Sequence, residues 1–396
     1  MRGPIPAGKS ILKERSMKRC SSKYYVACLG AVAGLMSLGT AAFAQLPMPS
    51  KGLNLGNTFE PGCGIGCWGP PMPTQAGING MAAAGFNTLR IPCSWYVHAD
   101  AKGKIDPTYM SQVTSVVNWA LAANMYVIVN SHYDNGWLDS SGFRRFDSRV
   151  NSKVQNLWSQ VATNFKNTSP HLLFACTNEP DTGNSQSTTN VLLQYYQTFV
   201  NTVRGTGGSN ATRWLILQAP GASIDYASSY MPPSSFPADP AHSLMLECHT
   251  YDPAQFTLLN SDASWGAMYY FWGAPFHVSN QLTNRNAAWG EEAYMDAENA
   301  KAKSNFVSKG IPVFIGEWRA EPKTAEPDLT GQYITQNRNS TTYWDYYNQH
   351  SMTANGLSGT CWQTNDIIDQ TTGAVLDPDA LKAVQGTSYL APIAGL

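Results

Sequence analysis

Charge is scarce in this chain: Asp, Glu, Lys and Arg together make up 13% of its 396 residues, about half the ~25% usual in globular proteins. A basic surplus is missing as well. With the seven Lys/Arg and one Glu of residues 1–44 set aside, 19 basic side chains face 26 acidic ones, a net of −7, so no nucleic-acid partner is expected. The apolar run 24–38 is shorter than the roughly 18 to 20 residues a spanning helix needs. It follows a basic stretch ending in Lys18, Arg19 and Lys23 and leads into Ala42-Phe43-Ala44, the small-x-small pattern cut by signal peptidase. Residues 1–44 therefore read as an export signal. The mature chain is expected to start near Gln45, to be secreted to the periplasm or beyond, and to have no membrane attachment after processing. Met17 would serve equally as a start.

Metal-binding spacings are absent too. There is no C-x-x-C pair and no H-x-x-x-H, so neither a zinc site nor any other metal or cofactor is expected. Six cysteines remain after processing: Cys63, Cys67, Cys93, Cys176, Cys248 and Cys361. Cys63 and Cys67 share a Gly/Pro-rich loop and are close enough to bridge, although connectivity is not readable from spacing. The other four lie in apolar strand-like runs and read as small buried hydrophobes. No Pro/Ser-rich linker breaks the chain, which leaves 45–396 as one domain.

What is present is a rhythm. Short β-rich apolar runs occur at 52–57, 86–91, 125–131, 172–177, 213–218, 243–249, 312–317 and 357–362. Helix-like segments fall between them at 107–123, 152–165, 190–203, 293–309 and 341–350, and 377–396 can supply a last helix. Eight nearly continuous apolar strands alternating with helices predict a parallel sheet closed into a single (β/α)8 TIM barrel, an α/β fold. The longest interval, 243–312, carries Trp265, Tyr269, Tyr270, Trp272 and Trp289. It reads either as an enlarged loop flanking a cleft or as a packed cluster beneath that loop.

In such a barrel the reactive groups belong at the carboxyl ends of the strands. Glu179 ends the fourth run in Thr177-Asn178-Glu179-Pro180, and Glu317 ends the seventh in Ile315-Gly316-Glu317-Trp318. A carboxylate after apolar strand is costly unless used or paired. A lone Glu more often caps or decorates a surface, but two at matching strand ends suit a retaining glycosidase, which needs an acid/base and a nucleophile roughly 5 to 5.5 Å apart. One must then keep its proton while the other is charged, which burial and the neighbouring like charge can arrange. Arg90 ends the second run, His132 the third, His249 and Tyr251 the sixth and Trp362 the eighth.

On these residues the chain resembles glycoside hydrolase family 5, the cellulase family. The resemblance covers most of 50–365 and rests on five motifs in order. They are Gly52-Leu53-Asn54-Leu55-Gly56-Asn57-Thr58, Gly85-Phe86-Asn87-Thr88-Leu89-Arg90-Ile91-Pro92, Asn178-Glu179-Pro180, His249-Thr250-Tyr251 and Gly316-Glu317. It implies Glu179 as acid/base and Glu317 as nucleophile, with Arg90 and Tyr251 bonding the nucleophile and Asn178 the sugar 2-hydroxyl. His132 and His249 would line the −1 subsite above a Trp362 floor, and Trp362-Gln363 would be a non-proline cis peptide. His132-Tyr133 stands where the family often has two histidines, and Trp318 where Phe is frequent. Tyr133, Trp68 and Trp137 are further candidates for contact with sugar.

The implied activity is secreted endo-β-1,4-glucanase action on a β-glucan polysaccharide or oligosaccharide by a monomer. Xyloglucan, mixed-linkage glucan and mannan are alternative substrates. Two other classes stand beside it. A sugar-binding barrel without catalysis would lack one of the two Glu, and a metal-dependent barrel hydrolase would want His at the end of the first strand, where Gly56-Asn57-Thr58 stands.

Overall fold

The structure, a computed structural model, describes residues 50–133, 143–323 and 326–396; the expected export signal lies outside them. Eight strands, β1 (Lys51–Asn54), β2 (Thr88–Ile91), β3 (Tyr126–Asn130), β4 (Leu172–Ala175), β5 (Leu215–Gln218), β6 (Leu244–Thr250), β7 (Val313–Trp318) and β8 (Ser358–Cys361), pair in parallel and in chain order. β1 also pairs with β8, so the sheet closes. Each strand falls within or overlaps one of the eight apolar runs. The barrel expected from the sequence is the barrel observed.

The helices are α1 (Gln75–Ala83), α2 (Pro107–Ala122), α3 (Ser148–Asn164), α4 (Gln186–Gly205), α5 (Ile224–Tyr230), α6 (Ala254–Thr257), α7 (Glu292–Asn305), α8 (Gln332–Ala354) and α9 (Pro378–Val384). Their starts follow from side-chain chemistry. Asp106 before Pro107, Asp147, Ser185 and Asp377 before Pro378 each accept hydrogen bonds from first-turn N–H groups, and proline at the first position loses no helical bond.

Alternation along the strands divides the core in two. Val127, Val129, Leu172, Phe174, Leu215, Leu217, Leu246, Val313 and Ile315 pack with the helices. Residues of the opposite parity, Ile128, Leu173, Ala175, Ile216, Met245 and Phe314, form a separate cluster that fills the barrel interior. Cys63 and Cys67 form a disulfide, and Cys93, Cys176, Cys248 and Cys361 are free and buried, as their apolar settings imply.

The long segment after β6 resolves into both of its readings. Tyr270 and Trp272 are buried, whereas Trp265 and Trp289 are exposed. The irregular backbone there is held by polar side chains of α8: Asn337 donates to Tyr270 O, Ser340 to Trp272 O and Gln336 to Phe276 O. A buried loop must find such partners or bear the cost of unpaired peptide groups.

Candidate active site

Two residues beyond the apolar plug, the same interior-facing parity turns polar. Asn54, Arg90, Asn130, Gln218, Glu247 and Thr360 form a buried layer at the carboxyl end of the strands. β7 enters this layer through an irregularity. Cys248 pairs with Ile315 but His249 pairs with Glu317, a β-bulge in the register. Regular alternation from Phe314 through Gly316 would send Glu317 toward the helices. The bulge instead turns it into the mouth beside His249, the kind of re-aiming for which bulges are used next to active sites.

Arg90 organises the Glu317 side. It is fully buried, and its Nη1 donates to Glu317 Oε1 and to Asn54 Oδ1, both at 2.9 Å. Nη2 donates to Asn178 Oδ1 at 2.8 Å, and Nε stands 3.0 Å from Glu247 Oε1. Asn54 is itself fixed by donating to Gly316 O at 2.9 Å. The Tyr251 hydroxyl donates to Glu317 Oε2 at 3.3 Å; burial, then the Glu317 and Glu179 charges, push its pKa well above the usual phenol value, so it stays a donor. His132 lies 3.9 Å from Glu317 Oε1 and 3.4 Å from Asn178 Nδ2. Burial, followed by the Arg90 and His249 charges, holds its pKa well below the ordinary value, so it is neutral.

On the opposite wall Glu179 has a side chain 49% exposed, and His249 Nδ1–H donates to its Oε1 at 2.6 Å. Burial alone would lower His249, but Glu317, Glu179 and Glu247 surround it and push it up to about 10. Burial in the cleft wall would raise Glu179; the His249 hydrogen bond and charge outweigh it and bring it below the usual carboxylate value. This corrects the expectation that burial and like charge keep the acid/base carboxyl protonated. Both shifts place the proton on the His249 side of the 2.6 Å hydrogen bond.

One Glu179 oxygen, one His249 nitrogen and one Glu317 oxygen all lie within 4.8 Å of one another. A cavity of about 430 Å³ opens beside Glu179, walled by His249, Tyr251, Asp225, Asp252 and Tyr294.

Of the aromatic candidates, Trp362 stacks on His132 with centroids 5.9 Å apart, and a Cβ at Gly56 would come 2.7 Å from its ring. The turn after β1 therefore needs glycine there. Trp68 and Tyr133 meet edge to face at 6.0 Å beside the disulfide loop, and both are about half exposed. Trp137 lies outside the described residues. The Trp362-Gln363 bond is trans; the cis bond among the described residues is Asp252-Pro253. Asn54, Asn130 and Glu247 escaped the sequence reading. For Glu247 the signal was present, a carboxylate inside the apolar run 243–249.

The fold and the site together define a (β/α)8 glycoside hydrolase. Residues 47–366 match the family described as Cellulase (glycosyl hydrolase family 5), and the chain belongs to that family. It is 32% identical over 354 residues to the xyloglucan-specific endo-β-1,4-glucanase of Bacteroides ovatus, covering 84% of this chain and 67% of that one. It is 33% identical over 281 residues to endoglucanase B of Clostridium cellulovorans, covering 67% and 58%. Among solved structures, a xyloglucan-specific β-1,4-glucanase from a ruminal metagenomic library, in complex with XXLG, superposes with a TM-score of 0.76 at 35% identity, over 86% of this chain and 94% of that one. The chain thus spans between about half and two thirds of the length of the curated relatives it matches first.

Proposed function

We propose that the protein is a secreted, retaining endo-β-1,4-glucanase that cleaves β-glucan by double displacement, with Glu317 as nucleophile and Glu179 as acid/base. The observation that carries the reading is the approach of the two carboxylates, with one oxygen of each within 4.8 Å. That is close to the roughly 5 to 5.5 Å of retaining enzymes and far from the ~6.5 to 9.5 Å that leaves room for water in inverting ones. Their surroundings also differ as their roles require. Glu317 is clamped by Arg90 and Tyr251, and Glu179 is open to the cleft with a proton on its partner.

In the first step Glu317 attacks the anomeric carbon as the glycosidic C–O bond breaks. The leaving oxygen takes the proton held between Glu179 and His249. In the second, water attacks the same carbon, gives its proton back to Glu179, and the ester to Glu317 breaks. Asn178, held by Arg90, is set to bond the 2-hydroxyl. Because Glu179 protonates the leaving oxygen, the cavity beside it belongs to the leaving-group side of the cleft.

A xyloglucanase reading is favoured by two of the similar proteins, each named as xyloglucan-specific. Release of reducing sugar from carboxymethyl cellulose, xyloglucan, mixed-linkage glucan and mannan decides between them. Faster release from xyloglucan than from the unbranched glucans selects the second reading, and no release from any β-glucan removes both. Proton NMR at early time should show net retention; first appearance of the inverted anomer would rule out the covalent route.

A further inference from the structure

Glu247 takes no part in the steps above, and its placement is expensive. It is fully buried in β6, and its Oε2 has no hydrogen-bond partner among the described residues. A buried carboxylate with an unsatisfied oxygen costs stability that an apolar side chain of similar volume would not. The neighbouring strand makes room for it. A Cβ on Gly316 would sit 1.8 Å from Glu247 Oε1, so the residue before the nucleophile is confined to glycine by this carboxylate.

The contacts explain what the cost supports. A single oxygen, Oε1, stands 3.0 Å from Arg90 Nε and 3.4 Å from His249 Nε2. Arg90 is the clamp on Glu317, and His249 is the proton partner of Glu179. We infer that Glu247 is a positioning residue that joins the two halves of the catalytic site: it holds the guanidinium behind the nucleophile and, through the far ring nitrogen of His249, keeps the transferable proton on the Glu179–His249 pair.

The logic is electrostatic. A carboxylate on the second N–H of an imidazole fixes its orientation and strengthens its hold on a proton. Around His249 the charged and titratable groups are Arg90 from β2, His132 after β3, Glu179 after β4, Tyr251 after β6 and Glu317 on β7. Tyr196, Cys248 and Glu298 stand further out on the Glu247 side. Among them Glu247 is the carboxylate that neither reacts nor meets solvent. When Glu317 becomes an ester and loses its charge, Glu247 is the anion left to balance Arg90, which keeps the clamp in place for the second step.

The inference rests on the assignment of Glu179 and Glu317 above, and its test is Glu247→Gln, which keeps volume and removes charge. The pH profile of kcat/KM on the best polysaccharide should lose its alkaline limb at least one pH unit earlier than in the wild type, a tenfold weaker hold on the proton. An aryl cellobioside with a good leaving group should show a smaller shift. A folded, active variant whose alkaline limb superimposes on the wild type overturns the inference. Where the variant does not fold, or where the wild type cleaves no β-glucan and the activity reading fails, the ring nitrogens decide. In 15N-histidine-labelled protein the His249 ring, identified by its loss in His249→Asn, should carry protons on both nitrogens at pH 8. A neutral ring at that pH overturns the inference.

Discussion

Arg90→Lys is the sharpest single test of the site, because it keeps the charge and removes only the geometry. The guanidinium reaches four partners at once: Asn54, Glu317, Asn178 and Glu247, at 2.8 to 3.0 Å. One ammonium on a different stem cannot span a fork whose partners come from β1, β6, β7 and the turn after β4, so at least two must be left unpaired by a side chain that is itself fully buried. A buried hydrogen bond to a charged group contributes about 1.5 to 3 kcal/mol. The retained charge and the non-additivity of neighbouring bonds argue for the low end, about 3 kcal/mol for two bonds. At about 2 °C per kcal/mol for a domain of this size, Tm should fall by roughly 6 °C. Activity should fall further than stability suggests, by on the order of a hundredfold in kcat, since a displacement of ~1 Å in the attacking group costs about that much. Differential scanning calorimetry and initial rates on an aryl cellobioside measure the two losses. If Tm moved by less than a degree while kcat/KM stayed within twofold, the fork would not be what holds Glu317 and Asn178 in register.

The remaining predictions concern proton delivery, pH and the cleft wall. Glu179→Gln should reduce kcat/KM on polysaccharide by about 10² to 10⁴, and far less on an aryl cellobioside whose leaving group needs no proton; equal losses on both would contradict the acid assignment. Glu60, 1% exposed beyond β1, is pushed by burial up to about 7. The native state therefore holds a proton that the unfolded chain has released, and stability should be full below about pH 4.5 and decline toward pH 7, by at most about 1.4 kcal/mol per unit. Glu60→Gln should flatten that part of the urea-midpoint profile, and an unchanged slope would refute it. Dithiothreitol should open Cys63–Cys67 and loosen the loop before Trp68, raising KM on polysaccharide severalfold with kcat nearly constant; the four buried cysteines should be untouched. A KM that ignores reduction would detach Trp68 from substrate.

How far the sequence could be read depended on which signal each element carries. The eight strands stand out because a parallel strand covered on both faces is an unbroken apolar run, and every one was found. Helix α8 shows the opposite case. Its expected span of 341–350 is less than half of Gln332–Ala354, because the buried residues of its first turns are Gln336, Asn337, Asn339 and Ser340, while the apolar Trp344 and Met352 come later. Hydrophobic periodicity cannot register the half of a helix whose buried side chains hydrogen-bond loop backbone instead of packing against apolar groups. Helix α3 begins four residues before its expected start because Asp147 caps it, a signal carried by one residue.

The same distinction governs the site. Glu179, Glu317, Arg90, His132, His249, Tyr251 and Trp362 were legible as polar or aromatic residues at the ends of apolar runs. What joins them was not. The bulge between Cys248 and His249 changes no residue type, yet it decides that Glu317 faces His249 and not the helices. Glu247 lay in plain view within an apolar run, and the rule applied to Glu179 and Glu317, that a carboxylate in strand must be paired or used, applies to it with greater force because it is the most deeply buried of the three. Its pairing places one carboxylate beneath both Arg90 and His249. On the proposed assignment of Glu179 as acid/base, a carboxyl whose own pKa is lowered has a proton one hydrogen bond away, on an imidazole flanked by carboxylates on both sides.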